Sequence, residues 1–484
     1  MKISSWIRAL IILTLSFLGV SATASAQGPA GDWVSGISCQ NLSSVSVANV
    51  ALSFYPEGNG TAVLTYADPN PIPANASRSY FTPSTPQGIP ANFLGSVVVS
   101  SSQPMACNVN TQTTGTGTQV DPYRVGRSAG FTESQIAPTM FAPQVMKKLA
   151  GTWSSYIAVQ NTGNAALLVN VDYLDRFGTS IPTASESFTI PAKSNKVFYQ
   201  DDNNNLPLGF LGSATISGDG STNIAVIVNF FNDGADFSTS QFHSYNGFGS
   251  GANKLLVPRL VRTFYGYNSG LTIQNVGSTS TNFTVTFEFF GDTYVYNSST
   301  IGAGAAVFLY LPDVSVIDPV DAIPIGLRIG SAVIQADPGG SIIAIINEDN
   351  RGGPGIPEER TGQGSTYNAI LDGTQSTSVF FVQVSRNVAG IFSGGFQVSN
   401  TTNSSGTCNF TYIGASAADE TNVSLPANGT ISKYAPNITN LPDGFNDSVI
   451  AVCTQPIIGI ANLAAEPGSG RFGDSFSQSN GLNQ

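Results

Sequence analysis

GTWSSYIAVQNTG, residues 151–163, is the stretch whose reading decides the fold. It recurs with variation as DWVSGISCQNLS from Asp32, YNSGLTIQNVG from Tyr267 and FSGGFQVSNTT from Phe392. The asparagines near the ends of these copies are Asn41, Asn161, Asn275 and Asn400, spaced 120, 114 and 125 residues apart. A second landmark follows each copy: IPANFLGSV at Ile89, LPLGFLGSA at Leu206, IPIGLRIGSA at Ile323 and LPDGFNDSV at Leu441. A third is an apolar run that ends in Asn110, Asn229, Asn347 or Asn462. Three landmarks in one order, four times over, define four repeats.

The second repeat reads most clearly. Leu167, Val169, Val171 and Tyr173 put every second side chain on one face, and Phe188 and Ile190 continue the period. Val197, Tyr199, Ala214, Ile216, Ile224, Val226 and Val228 do the same, between turns rich in Gly, Pro, Asn and Asp. Period-two runs of this length, punctuated in this way, are half-buried antiparallel strands. About seven strands in some 115 residues match the size and rhythm of an immunoglobulin-like sandwich. The expectation is an all-β chain, a tandem array of about four such modules at 27–125, 140–250, 254–370 and 378–484.

Apolar runs with the look of strands enter three of the repeats: MFAPQVMKK from Met140, KLLVPRLVR from Lys254 and SVFFVQVSR from Ser378. Pro143 stands 18 residues before Asn161, and Val382 stands 18 before Asn400. Eighteen before Asn41 is Thr23, inside an export signal. The count predicts four modules with three connecting strands. The terminal edge left over would be shielded by a short local segment or completed by a strand from a different protein.

The export signal covers residues 1–26. Lys2 and Arg8 precede an apolar core from Ala9 to Val20, and Ala24-Ser25-Ala26 fits the small-x-small cleavage rule. The apolar run is too short to span a bilayer comfortably, and no later stretch is long and apolar enough. Cleavage leaves 17 basic and 30 acidic residues, a net charge of −13. So acidic a chain does not seek phosphate backbones, which excludes nucleic acid as an expected partner. Charged residues are only 10 %, replaced by Ser, Thr, Asn and Gly, yet 41 % hydrophobic content with 29 Phe argues for packed cores over disorder. A secreted or cell-surface location is expected.

The run VQNTGNAALLVNVDYLDRFG followed by FTIPAKSNKVF resembles the CARDB-type and related Ig-like tandem repeats of secreted bacterial surface proteins. The pattern GSVVVSSSQPMACNVN, GSATISGDGSTNIAVIVN and GSAVIQADPGGSIIAIIN is similar to tandem repeats of the same kind, over nearly the whole mature chain. The resemblance implies surface display or adhesion. It implies no catalytic residue.

Candidate chemistry is sparse. Cys39 and Cys107 fall in the first repeat, Cys408 and Cys453 in the fourth, at positions that match inward residues of the second. In an exported chain the pairs Cys39–Cys107 and Cys408–Cys453 read as disulfides, the alternative being four buried thiols packed as small hydrophobes. His243 is the only histidine, in an aromatic stretch QFHSYNGF with no Gly-x-Ser-x-Gly elbow, and reads as a linker side chain packed between modules. Glu358 and Glu359 sit in a Gly/Pro-rich loop, a solvated connection rather than a glycosidase pair. The run 201–205, DDNNN, lacks the spacing of a calcium loop and reads as an Asn-rich turn. No metal or other cofactor is expected. Five Phe and one Tyr cluster in 230–248, which suits either packing between modules or sugar stacking. The residues point to a non-catalytic surface-display, adhesive or structural protein, with other surface proteins or glycans as partners. The alternative is a carbohydrate- or matrix-binding protein using aromatic loop residues. An extracellular hydrolase would need a positioned catalytic set that the residues do not show.

Overall fold

The computed structural model describes residues 31–289, 291–317 and 324–483. The expected export signal, residues 1–26, lies outside the described residues. Among those described, the chain is all-β with antiparallel sheets, none of them closed.

The first repeat forms β1 (Trp33–Asn41), β2 (Val50–Pro56), β3 (Leu64–Ala67), β4 (Ser77–Phe81), β5 (Gly95–Ser101), β6 (Met105–Thr113) and β7 (Val125–Ala129). Its sheets run β4-β1-β6-β7 and β3-β2-β5. The second forms β8 (Thr139–Lys147), β9 (Trp153–Asn161), β10 (Leu167–Asp175), β11 (Glu186–Ile190), β12 (Asn195–Tyr199), β13 (Phe210–Ser217), β14 (Ile224–Asn232) and β15 (Phe242–Asn246). Here the orders are β12-β9-β14-β15 and β11-β10-β13-β8.

The third repeat forms β16 (Lys254–Val261), β17 (Tyr267–Asn275), β18 (Phe283–Phe289), β19 (Asp292–Asn297), β20 (Ala306–Tyr310), β21 (Ile329–Ala336), β22 (Ile342–Asn350), β23 (Gly364–Asn368) and β24 (Ile370–Leu371). The fourth forms β25 (Ser376–Ser385), β26 (Phe392–Asn400), β27 (Gly406–Tyr412), β28 (Glu420–Leu425), β29 (Thr430–Tyr434), β30 (Asn446–Ala465), β31 (Ser477–Asn480) and β32 (Leu482–Asn483). β30 runs on where the other repeats have two strands, so it pairs with β27 and β25 in one layer and β26 in the other. A strand that bends from one sheet into the next makes such a corner.

In each repeat two sheets face one another across an apolar cluster. Val169, Val171, Tyr173, Ile216 and Val226 are fully buried in the second, which is the alternating face read from the sequence. One outer face is covered too: β17, YNSGLTIQN, is buried along its whole length because neighbouring repeats pack on it, whereas β10 leaves Leu168 exposed on its outer side.

The four asparagines of the organising stretch explain its recurrence. Asn161 donates through Nδ2 to the carbonyls of Ala165, Ile190 and Pro191 at 2.7, 3.0 and 3.2 Å, and its Oδ1 accepts from Gly163 N. Asn41 and Asn275 each make the same set of four bonds. Asn400 donates to Ser404 and Pro426 and accepts from Thr402 N. One amide thus satisfies the buried backbone of two turns, which leucine or serine at that place could not do.

Two expectations need revision. The stretch 230–248, read as an aromatic linker, is the end of β14 followed by β15, so the second repeat carries eight strands. β7 begins at Val125, where the first module was expected to end, and it belongs with the first repeat because it pairs with β6.

Candidate functional site

β7, β15, β23 and β31 are equivalent strands near the ends of the four repeats, and they meet at a common junction, each beside the next, with β31 against β7. A ladder of side-chain amides joins them. Asn480 Nδ2 donates to Asn368 O at 2.8 Å, Asn368 Nδ2 to Asn246 O at 2.6 Å, and Asn246 Nδ2 to Ala129 O at 2.9 Å. Ala129 has no amide to continue the ring, and Asn108 Nδ2 instead reaches Ser479 Oγ at 3.1 Å. The signal was present in the sequence as RSAGF, SYNGF, TYNAI and QSNGL from Arg127, Ser244, Thr366 and Gln478.

The titratable groups at this centre are bonded across repeats. His243 lies in β15, buried, stacked on Phe230 with ring centroids 4.7 Å apart and edge-on to Trp153. Its Nδ1 is 2.9 Å from Thr366 Oγ1 of the third repeat. Burial pushes its pKa down to about 3, so the ring is neutral. Asp474 is fully buried and accepts from the backbone N–H of Phe242, Gly364 and Phe476, joining three repeats. Burial raises its carboxyl well above the usual range, against the lowering effect of those donors. Arg259 and Glu348 form a buried two-pronged pair at 2.9 and 2.8 Å, and Gln478 Nε2 donates to the same carboxylate. All three groups are structural by geometry.

The neighbouring repeats contact each other in one recurring way. The first strand of a repeat lies on the outer face of the next. Gln144 of β8 accepts from Thr272 and Asn347, while Ile343 and Ile345 join the core cluster of the second repeat. Pro258 O of β16 accepts from Gln397 and Ser399. Gln383 of β25 accepts from Asn110 and Arg127, and Phe380 and Val382 pack on Leu42 and Ala106.

At the fourth such junction, between the first repeat and the second, there is a cavity of about 1690 Å³ that extends to Tyr367 and Ile370 of the third repeat and Asn480 of the fourth. One wall is β5 with the core residues Ile37, Phe54, Cys107 and Val109; the other is the outer face of β9 and β14 at Tyr156, Ala158, Ala225 and Ile227. Phe131 and Thr132 also line it. Around it the repeats are clamped together. Ser194 Oγ donates to Pro56 O at 2.8 Å, Gly58 N to Asn195 O, and Lys196 pairs with Glu57 at 3.0 Å. The cavity exceeds the roughly 300–1,000 Å³ usual for small-molecule sites.

The residues singled out from the sequence are dispersed. Cys39 is bonded to Cys107 across β1 and β6, and Cys408 to Cys453 across β27 and β30. Asp201 takes a bond from Ser154 and pairs with Lys148 at 2.9 Å, and Asn203 bonds Ala184 and Glu186, so that run closes a turn. Glu358 and Glu359 lie in a short 3-10 turn. Phe230, Phe231, Phe242, Tyr245 and Phe248 are all buried. Among the described residues no group of three or more His, Cys, Asp or Glu is placed to hold a metal ion, and no helix is long and apolar enough to cross a membrane.

No family model and no curated protein matches the chain. Among solved structures it is similar to the crystal structure of Thermotoga maritima 1070, at 16 % identity and a TM-score of 0.19, over 25 % of this chain and 96 % of that one. It is also similar to a serine-rich repeat adhesion glycoprotein (Srr1) from Streptococcus agalactiae, at 7 % identity and a TM-score of 0.10, over 79 % and 89 % of the two chains.

Proposed function

We propose that the four repeats are four immunoglobulin-like β-sandwich modules of the kind found in CARDB-type surface proteins. The chain would be an exported, non-catalytic protein of the cell surface that acts in display, adhesion or construction. The observation that carries this reading is the use made of buried titratable groups: His243, Asp474 and the Arg259–Glu348 pair all bond neighbouring repeats. Groups so committed rigidify an assembly, whereas a catalytic acid or base must face a substrate. Two disulfides accord with an oxidising, extracellular compartment. The sugar-stacking alternative has less support, since five of the six aromatic side chains of 230–248 are buried against protein and Phe237 is half-buried.

The test is antibody labelling of intact cells that make the protein, with a glycan array probed by the purified chain. Surface labelling without glycan binding is the expected result. Labelling only after lysis would overturn the surface assignment, and saturable glycan binding would establish the alternative.

A further inference from the structure

The cavity beside β5 lies where each of the other repeats holds a further β-strand. In the second repeat β13 pairs with β8, in the third β21 pairs with β16, and in the fourth β30 pairs with β25. β5 is their counterpart in the first repeat, and among the described residues it pairs only with β2. The far side of the missing place is also consistent. Phe248 bonds β8 through Phe141, β24 pairs with β16, and β32 pairs with β25; Phe131, the equivalent of Phe248, borders the cavity.

Burial records the vacancy. Ile216, Ile334 and Ala451 are fully buried, but Val99 at the same position of β5 is half-buried; Val97 stands likewise against Ala214, Ala332 and Val449. Apolar side chains and a row of unpaired backbone groups along one edge form a surface that takes an added strand.

We propose that this groove accepts an extended segment of about eight or nine residues from a second, different polypeptide, paired antiparallel to β5. The three sister strands define its chemistry. Met140, Ala142, Val145 and Met146 of β8 enter the core of their repeat, and Gln144 on its other side bonds the neighbouring repeat. All three sister pairings contain a register shift near the middle, so the incoming strand carries a bulge there. Its outward side chains lie against Tyr156, Ala158 and Ile227.

The source in trans follows from the repeat arithmetic. β8 lies 14–22 residues before Asn161, and the same offset before Asn41 is 19–27, outside the described residues. The cleavage pattern Ala24-Ser25-Ala26 falls inside that stretch, so a chain cut after Ala26 would not carry residues 19–26 to that place. A second copy of this chain has, among its described residues, β8, β16 and β25 already paired within their own repeats. This inference concerns strand addition, and it stands whether the protein displays, adheres or builds.

The experiment uses the full exported chain and a synthetic peptide with the sequence of β8, TMFAPQVMK. The expected result is saturable one-to-one binding, a Tm that rises with peptide concentration, and hydrogen-exchange protection gained along β5. A peptide carrying Met140→Asp, Ala142→Asp and Val145→Asp should bind on the order of 100-fold more weakly, since it would bury charges. Absence of saturable binding would overturn the proposal, as would equal binding of the charged peptide. So would an exported chain whose mass shows that it retains residues 19–27, with β5 amides already protected before peptide is added. That outcome would make the strand the chain's own.

Discussion

Lowering the pH should loosen the molecule through one side chain. His243 is the only histidine, and burial holds its pKa at about 3 in the fold, against about 6.5 when the chain is unfolded. Between those values the unfolded chain binds a proton that the folded chain refuses, so the unfolding free energy falls as pH drops through about 6.5 and levels off below about 3. At pH 5 the difference is roughly 1.5 units, or about 2 kcal/mol. His243→Phe keeps a ring against Phe230 and Trp153 but cannot titrate; it also gives up the contact with Thr366, a pH-independent cost. Urea unfolding of both proteins at pH 7 and pH 5, followed by tryptophan emission, isolates the effect because carboxylates common to both cancel. The wild type should lose about 2 kcal/mol more than the variant between the two pH values. Parallel losses would refute the reasoning, and so would a wild type that gains relative to the variant on acidification.

Two further outcomes follow from the repeat itself. Asn161→Ala removes three donated bonds and one accepted bond, leaving the buried carbonyl of Ile190 without that partner; at about 1 kcal/mol each, the cost should be about 2–4 kcal/mol by urea unfolding, and a loss under about 1 kcal/mol would contradict the role assigned to this amide. Replacing Cys39 and Cys107 together with serine opens a loop of 68 residues. This should destabilise the first repeat by about 2–4 kcal/mol, visible as an earlier calorimetric transition; an unchanged transition would show that the bond adds nothing to a repeat that already lacks a strand.

Much of the fold was legible because strand patterning is local. Leu167, Val169, Val171 and Tyr173 alternate in the sequence, and all four are buried on one face of β10. The recurrence of Asn41, Asn161, Asn275 and Asn400 marks an obligatory chemical need, an amide that bonds two turns, and such a need is visible wherever a sequence repeats itself. Cysteines aligned with inward positions of a clearer repeat indicated which sulfurs could meet. The expectation of one entering strand too few was likewise a matter of counting.

What lies between the repeats was decided by the tertiary structure alone. His243 and the aromatic side chains of 230–248 read as a linker, because a strand buried on both faces loses the alternation that identifies it. β17 mixes Tyr, Asn, Ser and Gln with Leu and Ile, and nothing local says that its polar face is buried against another repeat. The amide ladder of Asn246, Asn368 and Asn480 and the acceptor Asp474 join residues up to 232 positions apart. Pairings of that range leave no periodicity behind, since each partner satisfies its own local pattern equally well without the other. For the same reason one entering strand too few could be expected from the sequence, while the cavity beside β5, lined by residues of all four repeats, exists only once the repeats are packed.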